Sequence, residues 1–345
     1  MSKRDVRYEF IRTVSMLFVI SAHSLAQIPG DDPAREPAWT IIATIFCLCN
    51  GLFFMLSGKF SLNARCETLG DYLRWYGKRL YSIGIPALLF MLLRTMHNSG
   101  WWPAYLRSPQ LWQDYLSNIL SGFRTCDYWF LYPLTGLLAA APFLSKLLQR
   151  LSSRELLLLL GIGMGFNSLG VYLPALGLPF AGEYPLGGWF VLFLLGYTLE
   201  RVVTTDRAER FVMAAGAICF VLSVVQQRLG FAPGANDLAP TYVFTCSAAF
   251  LALKRLWRSG PRRDRVILAV GQHSLSVYLC HAMILSWLEP RIPPEPWVPA
   301  LVLRVLAAAL LSLGAAFILD HTLLALLQAP VRRLLQWNPQ KSKLH

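Results

Sequence analysis

Apolar runs close to twenty residues long recur along this chain, and nothing else constrains its fold as strongly. A helix rises 1.5 Å per residue, so about 20 apolar residues cover the roughly 30 Å core of a bilayer. In lipid every backbone N–H and C=O must find its partner within the spanning structure, which the α-helix achieves alone. The runs therefore predict an all-α, polytopic integral membrane protein. Composition agrees. Of 345 residues, 55% are hydrophobic and 15% charged, against about 25% charged in a typical soluble domain.

Ten spans are expected, at about 10–28, 40–60, 80–96, 128–146, 155–173, 185–201, 210–228, 239–257, 266–288 and 299–327. The third is short, and the last is long enough to tilt or to leave the membrane as an amphipathic end. The N-terminus starts basic, but its apolar run has no clear small-residue cleavage site, so it reads as an uncleaved first helix. The whole chain, 1–345, is expected to form a single membrane-embedded domain.

The net charge of +13 is not a nucleic-acid signature, because no basic patch sits on a soluble domain. Cations instead collect in alternate loops. One set holds Lys3, Arg4 and Arg7, then Lys59 to Arg79, Lys146 to Arg154, Arg201 to Arg210, Lys254 to Arg265 and Arg332 to Lys343. The opposite set holds only Arg35, Arg107, Arg124, Arg228 and Arg291. The positive-inside rule then puts both termini in the cytoplasm, which requires an even number of crossings. The longest outward loop, 97–124, is rich in Trp and Tyr. Residence at the membrane interface explains such residues, and stacking on sugar rings is the functional alternative.

Seven cysteines are scattered, and Cys47-Leu48-Cys49 lacks the spacing of a zinc or redox site. The six histidines fall into no ligand spacing either. No metal and no tightly bound cofactor is expected.

Within the first run, Arg12 and His23 are eleven residues apart. At 100° per residue they end only ~20° apart around a helix and roughly 16 Å apart along it. Ionisable groups in lipid are costly and normally face a protein interior or a watery cavity. Snorkelling accounts for Arg12 alone and helix packing for His23 alone. Sharing one face, with Glu9 one turn before Arg12 to orient it, they outline a site with a cation at its mouth and an imidazole deeper in.

Ordered motifs now add up. Tyr8-Glu9-Phe10-Ile11-Arg12 followed by His23-Ser24 resembles the Arg-x10-His opening of the acyltransferase-3 family of integral-membrane acyltransferases. Phe53-Phe54-Met55-Leu56-Ser57-Gly58 resembles the family's second-span element, and Lys78-Arg79 with Ile85-Pro86 its basic third-span entry. Trp129-Phe130-Leu131-Tyr132, Gly196-Tyr197 and Ser274 to His281 resemble three later elements. Glu9 stands where many members have Asp. Ser82 stands where many have a second Arg after the position of Arg79. The resemblance is to the stand-alone type, and the SGNH hydrolase domain fused to some members is not expected.

The resemblance implies transfer of an acyl group, usually acetyl, from cytoplasmic acyl-CoA to a hydroxyl of a surface polysaccharide or lipid-linked glycan, in the bacterial plasma membrane. His23 and Arg12 are then the expected catalytic pair, with Arg12, Lys78 and Arg79 holding the anionic donor. An acyl-histidine intermediate and direct transfer are both open. Glu9, His281, Asp127 and Glu183 are the candidates for the acceptor side. Core packing competes for His281 and surface solvation for Asp127 and Glu183. Arg94, near the outer end of its span, reads as a snorkelling cation. Asp320 and His321 are adjacent and so point about 100° apart on a helix, which keeps them out of the site. Two alternatives stand beside this: a transporter or exporter built from the same buried cations, and acylation of a secondary metabolite. Oligomeric state is open.

Overall fold

The computed structural model describes residues 5–29, 36–122, 128–180, 186–231 and 238–335, and every regular element among them is a helix. In chain order these are α1 (Val6–Ala26), α2 (Glu36–Phe46), α3 (Leu48–Ser61), α4 (Leu69–Arg79), α5 (Ile85–Asn98), α6 (Pro103–Leu106) and α7 (Pro109–Leu120). There follow α8 (Leu131–Leu148), α9 (Ser153–Ala175), α10 (Trp189–Val202), α11 (Asp206–Arg228) and α12 (Pro240–Leu256). The last four are α13 (Pro261–Gly271), α14 (Ser274–Leu288), α15 (Trp297–His321) and α16 (Leu323–Leu334).

The protein is thus an all-α polytopic membrane protein. Among the described residues seven stretches are long and apolar enough to cross a bilayer, or eight if the bent pair α13–α14 counts as one. Ten were expected. The other two expected spans correspond to α10 and α12, of 14 and 17 residues. A 14-residue helix covers only about 21 Å, short of a bilayer core, although α10 is buried along nearly its whole length. The third span is longer than expected, running from Leu69 to Asn98 through a five-residue π-helical turn, Leu80–Gly84. Pro86 explains that turn. It has no N–H to offer Ser82 and its ring crowds the Ser82 carbonyl, so the backbone widens instead of breaking. The final run divides at Thr322 into α15 and the basic-ended α16.

By contacts the chain forms two compact units, one made of residues 6–65 and 137–264 and the other of 1–5, 66–136 and 265–345.

In the first unit α3 and α10 approach backbone to backbone. A Cβ on Gly58 would lie 1.7 Å from the Phe193 carbonyl oxygen, and one on Gly196 would lie 1.8 Å from that of Met55. Only glycine fits either position, which is how small residues let membrane helices close up. Phe54 stacks on Trp189 beside this seam, at 4.7 Å between ring centres. The α2–α3 break at Cys47 is held from α12, where the Tyr242 hydroxyl donates to the Cys47 carbonyl (2.8 Å) and accepts from the Gly51 amide (3.0 Å). Ser145 closes the end of α3 through the Leu62 and Ala64 carbonyls, each at 2.8 Å. α1 packs on α3, α12 and α2.

In the second unit α14 packs on α15 and α5, and α16 lies along α5. The 61° bend between α13 and α14 is fastened by Asp320 of α15, which takes His273 Nδ1 and the Ser276 hydroxyl at 2.5 Å each. Arg304, 1% exposed, donates to the Ile292 carbonyl. Gln328 of α16 reaches the Tyr81 carbonyl in the π turn (2.8 Å).

Candidate active site

Because α1 is one unbroken helix from Val6 to Ala26, the expected geometry of Arg12 and His23 holds: one side of the helix, roughly 16 Å apart along it. Their depths are more definite than sequence allowed. Arg12 lies two turns into the helix and its side chain is 27% exposed. His23 lies in the last turn and is exposed. Between them on the same face, Met16 and Val19 are 3% exposed. The direct line from cation to imidazole is filled by packed side chains. The site therefore consists of two stations on one helix.

At the first station Arg12 Nη1 donates to both oxygens of Glu9, at 2.8 and 2.7 Å. Glu9 is 5% exposed, and a buried carboxylate needs such a partner. Thr13 caps the same turn by donating to the Glu9 carbonyl at 2.9 Å. The guanidinium carries five N–H groups in a rigid fork. With Nη1 turned to Glu9, the fork is oriented by a short, local pair, and its remaining edge has a defined direction. The Arg12 guanidinium also lies 5.9 Å from the Phe60 ring centre.

Next to this pair lies a constellation that sequence reading missed. Glu200 of α10 accepts from the Tyr8 hydroxyl at 2.7 and 2.8 Å and is also bonded by the ammonium groups of Lys59 and Lys254. Both ammonium groups sit over the Tyr8 ring, at 5.6 and 5.7 Å, and Phe60 meets that ring edge-on at 5.4 Å. One carboxylate thus gathers α1, α3, α10 and α12. The only sequence signal was position: Lys59 directly follows the Gly58 element and Glu200 comes three residues after Gly196-Tyr197.

The other expected residues have surroundings of their own. Lys78 and Arg79 end α4, half-buried, with Arg79 over the Trp75 ring at 4.8 Å. They belong to the second unit and Arg12 to the first. His281 is 1% exposed on α14. Its Nδ1 faces the Tyr278 carbonyl, and since a carbonyl only accepts, that nitrogen carries the proton and Nε2 is the basic one. Tyr128 fixes the same turn by donating to the Leu279 carbonyl. Asp127 and Glu183 lie outside the described residues. Asp320 and His321 have separate partners: Asp320 holds His273, while His321 Nδ1 bonds the Phe317 carbonyl at 2.8 Å.

The fold and these side chains define a multi-pass, all-α membrane protein whose first helix carries an oriented arginine and an exposed histidine on one side. A family model described as an acyltransferase domain matches residues 5–321, nearly the whole chain. The chain belongs to the acyltransferase-3 family, and it is a membrane acyltransferase. No curated protein and no solved structure matches it.

Proposed function

We propose that this acyltransferase takes an acyl group, most simply acetyl, from cytoplasmic acyl-CoA and delivers it to a hydroxyl of a surface polysaccharide or lipid-linked glycan at the bacterial inner membrane. The observation that supports this reading best is the pair of stations on α1: a guanidinium oriented by Glu9 and, on the same side of one continuous helix, an exposed imidazole.

Each group suits its part. Arg12 offers a planar fork to a phosphate or carbonyl oxygen of the multiply anionic donor. His23 accepts the acceptor's hydroxyl proton as that oxygen attacks the thioester carbonyl, general-base work for which imidazole is the commonest side chain. The new C–O bond forms, the C–S bond breaks, and the imidazolium returns its proton to the departing thiolate. Met16 and Val19 fill the face between the stations, so the pantetheine arm either displaces them or runs beside α1.

The test uses purified full-length protein in nanodiscs with radiolabelled acetyl-CoA and glycan acceptor. His23→Ala should lower transfer by about 100-fold or more while leaving thermal unfolding unchanged, because the side chain is exposed. Arg12→Ala should raise the KM for the donor. Cells carrying His23→Ala that still acetylate their glycans but fail to export them would point to a transporter instead.

A further inference from the structure

Beyond the α1 stations, the second unit contains a cavity of about 440 Å3 that nothing so far has used. It lies at the end of the Leu69–Asn98 span opposite its basic start. Thr95, Asn98 and Ser99 line it from the end of α5, and Tyr105 from α6. Asp114, Ser117 and Asn118 complete it from α7. Every one of these side chains carries a hydroxyl, an amide or a carboxylate. Small-molecule sites occupy about 300–1,000 Å3 and usually set a few polar groups among apolar walls; here every lining side chain brings a polar group, which selects for a ligand rich in hydrogen-bonding groups.

The polar groups are held in place. The Tyr105 hydroxyl donates to Asp114 Oδ2 (2.7 Å) and Gln110 Nε2 to Oδ1 (2.8 Å). A carboxylate has about four lone-pair sites, so each oxygen keeps capacity for one more donor. Loss of water and the bond to Asp114 push the Tyr105 phenol up to about 12, which keeps it a donor at any physiological pH. Asn118 is braced on the Thr95 hydroxyl at 3.1 Å. The single charge in the lining is negative, which disfavours phosphate and other anions.

Indoles flank these residues in sequence. Trp101 and Trp102, 46% and 65% exposed, fall between the lining residues Ser99 and Tyr105, and Trp112, 55% exposed, is two residues before Asp114. Trp101 holds φ at +58°, a conformation bulky residues rarely adopt. An interfacial belt explains exposed tryptophans but not a polar cavity lined from the same stretch of chain. Oriented carboxylate, amide and hydroxyl groups with no cation among them suit the ring hydroxyls of a neutral sugar.

We propose that this α5–α7 cavity binds a neutral carbohydrate through its ring hydroxyls. That this sugar is the acyl acceptor rests on the function proposed above; the binding does not. The experiment titrates maltotriose, chitotriose and β-1,4-galactotriose into the full-length protein in nanodiscs, read by saturation-transfer NMR and tryptophan fluorescence. Saturable binding of at least one trisaccharide is expected, weakened at least tenfold by Ser117→Phe, which fills the cavity, and by the isosteric Asp114→Asn. His23→Ala should bind as wild type. Sugar binding by a wild-type protein that transfers no acyl group would sustain this site and sink the transfer reading. No saturation by any trisaccharide, saturation only by spermidine or inorganic phosphate, or wild-type affinity in both folded cavity variants would overturn it.

Discussion

At the scale of residues, the decisive unit is Glu9 with Arg12. A buried carboxylate whose cation is removed keeps its desolvation cost and loses its compensation. Arg12→Ala should therefore destabilise the protein by about 1–3 kcal/mol, the lower part of that range being favoured because Arg12 is 27% exposed. Glu9→Gln combined with Arg12→Ala should recover most of the loss, since a neutral amide is cheaper to bury. Thermal unfolding of the four proteins of this cycle measures it. Recovery of stability without recovery of donor affinity would separate the structural role of the pair from its role in binding. Arg12, Glu9 and His23 were legible in the sequence because they fall within one helix, where spacing fixes geometry. Glu200 was not. Its partners Tyr8, Lys59 and Lys254 are 192, 141 and 54 residues away, and each lysine taken alone looked like one more cytoplasmic loop cation.

At the scale of elements, the seam between α3 and α10 carries the strongest stability prediction. Gly58→Ala would place its new carbon 1.7 Å from a backbone oxygen, and Gly196→Ala would do the same at 1.8 Å. No side chain can rotate out of the way, so the helices must separate. Each substitution should cost about 1–3 kcal/mol or more, with the double variant losing less than the sum because one separation serves both. Denaturation of the purified variants checks this, and additive losses would mean the two contacts are independent. Gly58 is legible in sequence, since it and Ser57 are adjacent small residues, which permit close approach of membrane helices. The π turn did not, because Pro86 alone predicts a disturbed helix without saying that the disturbance is a widening fastened by Gln328 from a helix more than two hundred residues away.

At the scale of the whole molecule, the charge bias and the helices leave a specific count to be tested. Among the described residues seven or eight stretches meet the length for crossing, while α10 and α12 fall short of it. Both termini are expected in the cytoplasm, which with ten crossings makes α10 and α12 true spans of a locally thinned or protein-filled region. Single cysteines introduced at positions 3 and 341 of a cysteine-free protein should both react with an impermeant maleimide only after the inner membrane is opened. Labelling of one but not the other in intact cells would give an odd count and remove one of the two short helices from the membrane. The fold class was readable from apolar run length alone. The division into two compact units was not, since residues from both ends of the chain join its middle in one of them.

The Glu200 cluster also sets an order of assembly. Tyr8 leaves the ribosome long before Glu200, and Lys254 follows later still, so the carboxylate and its three partners cannot meet until α12 has been synthesised. Until then Glu200 can pair with Tyr8 and Lys59 but lacks its second ammonium, so the cluster stays incomplete and α12 undocked. Chains arrested before residue 254 should therefore persist as inserted but unlocked helices, a natural substrate for membrane quality-control proteases.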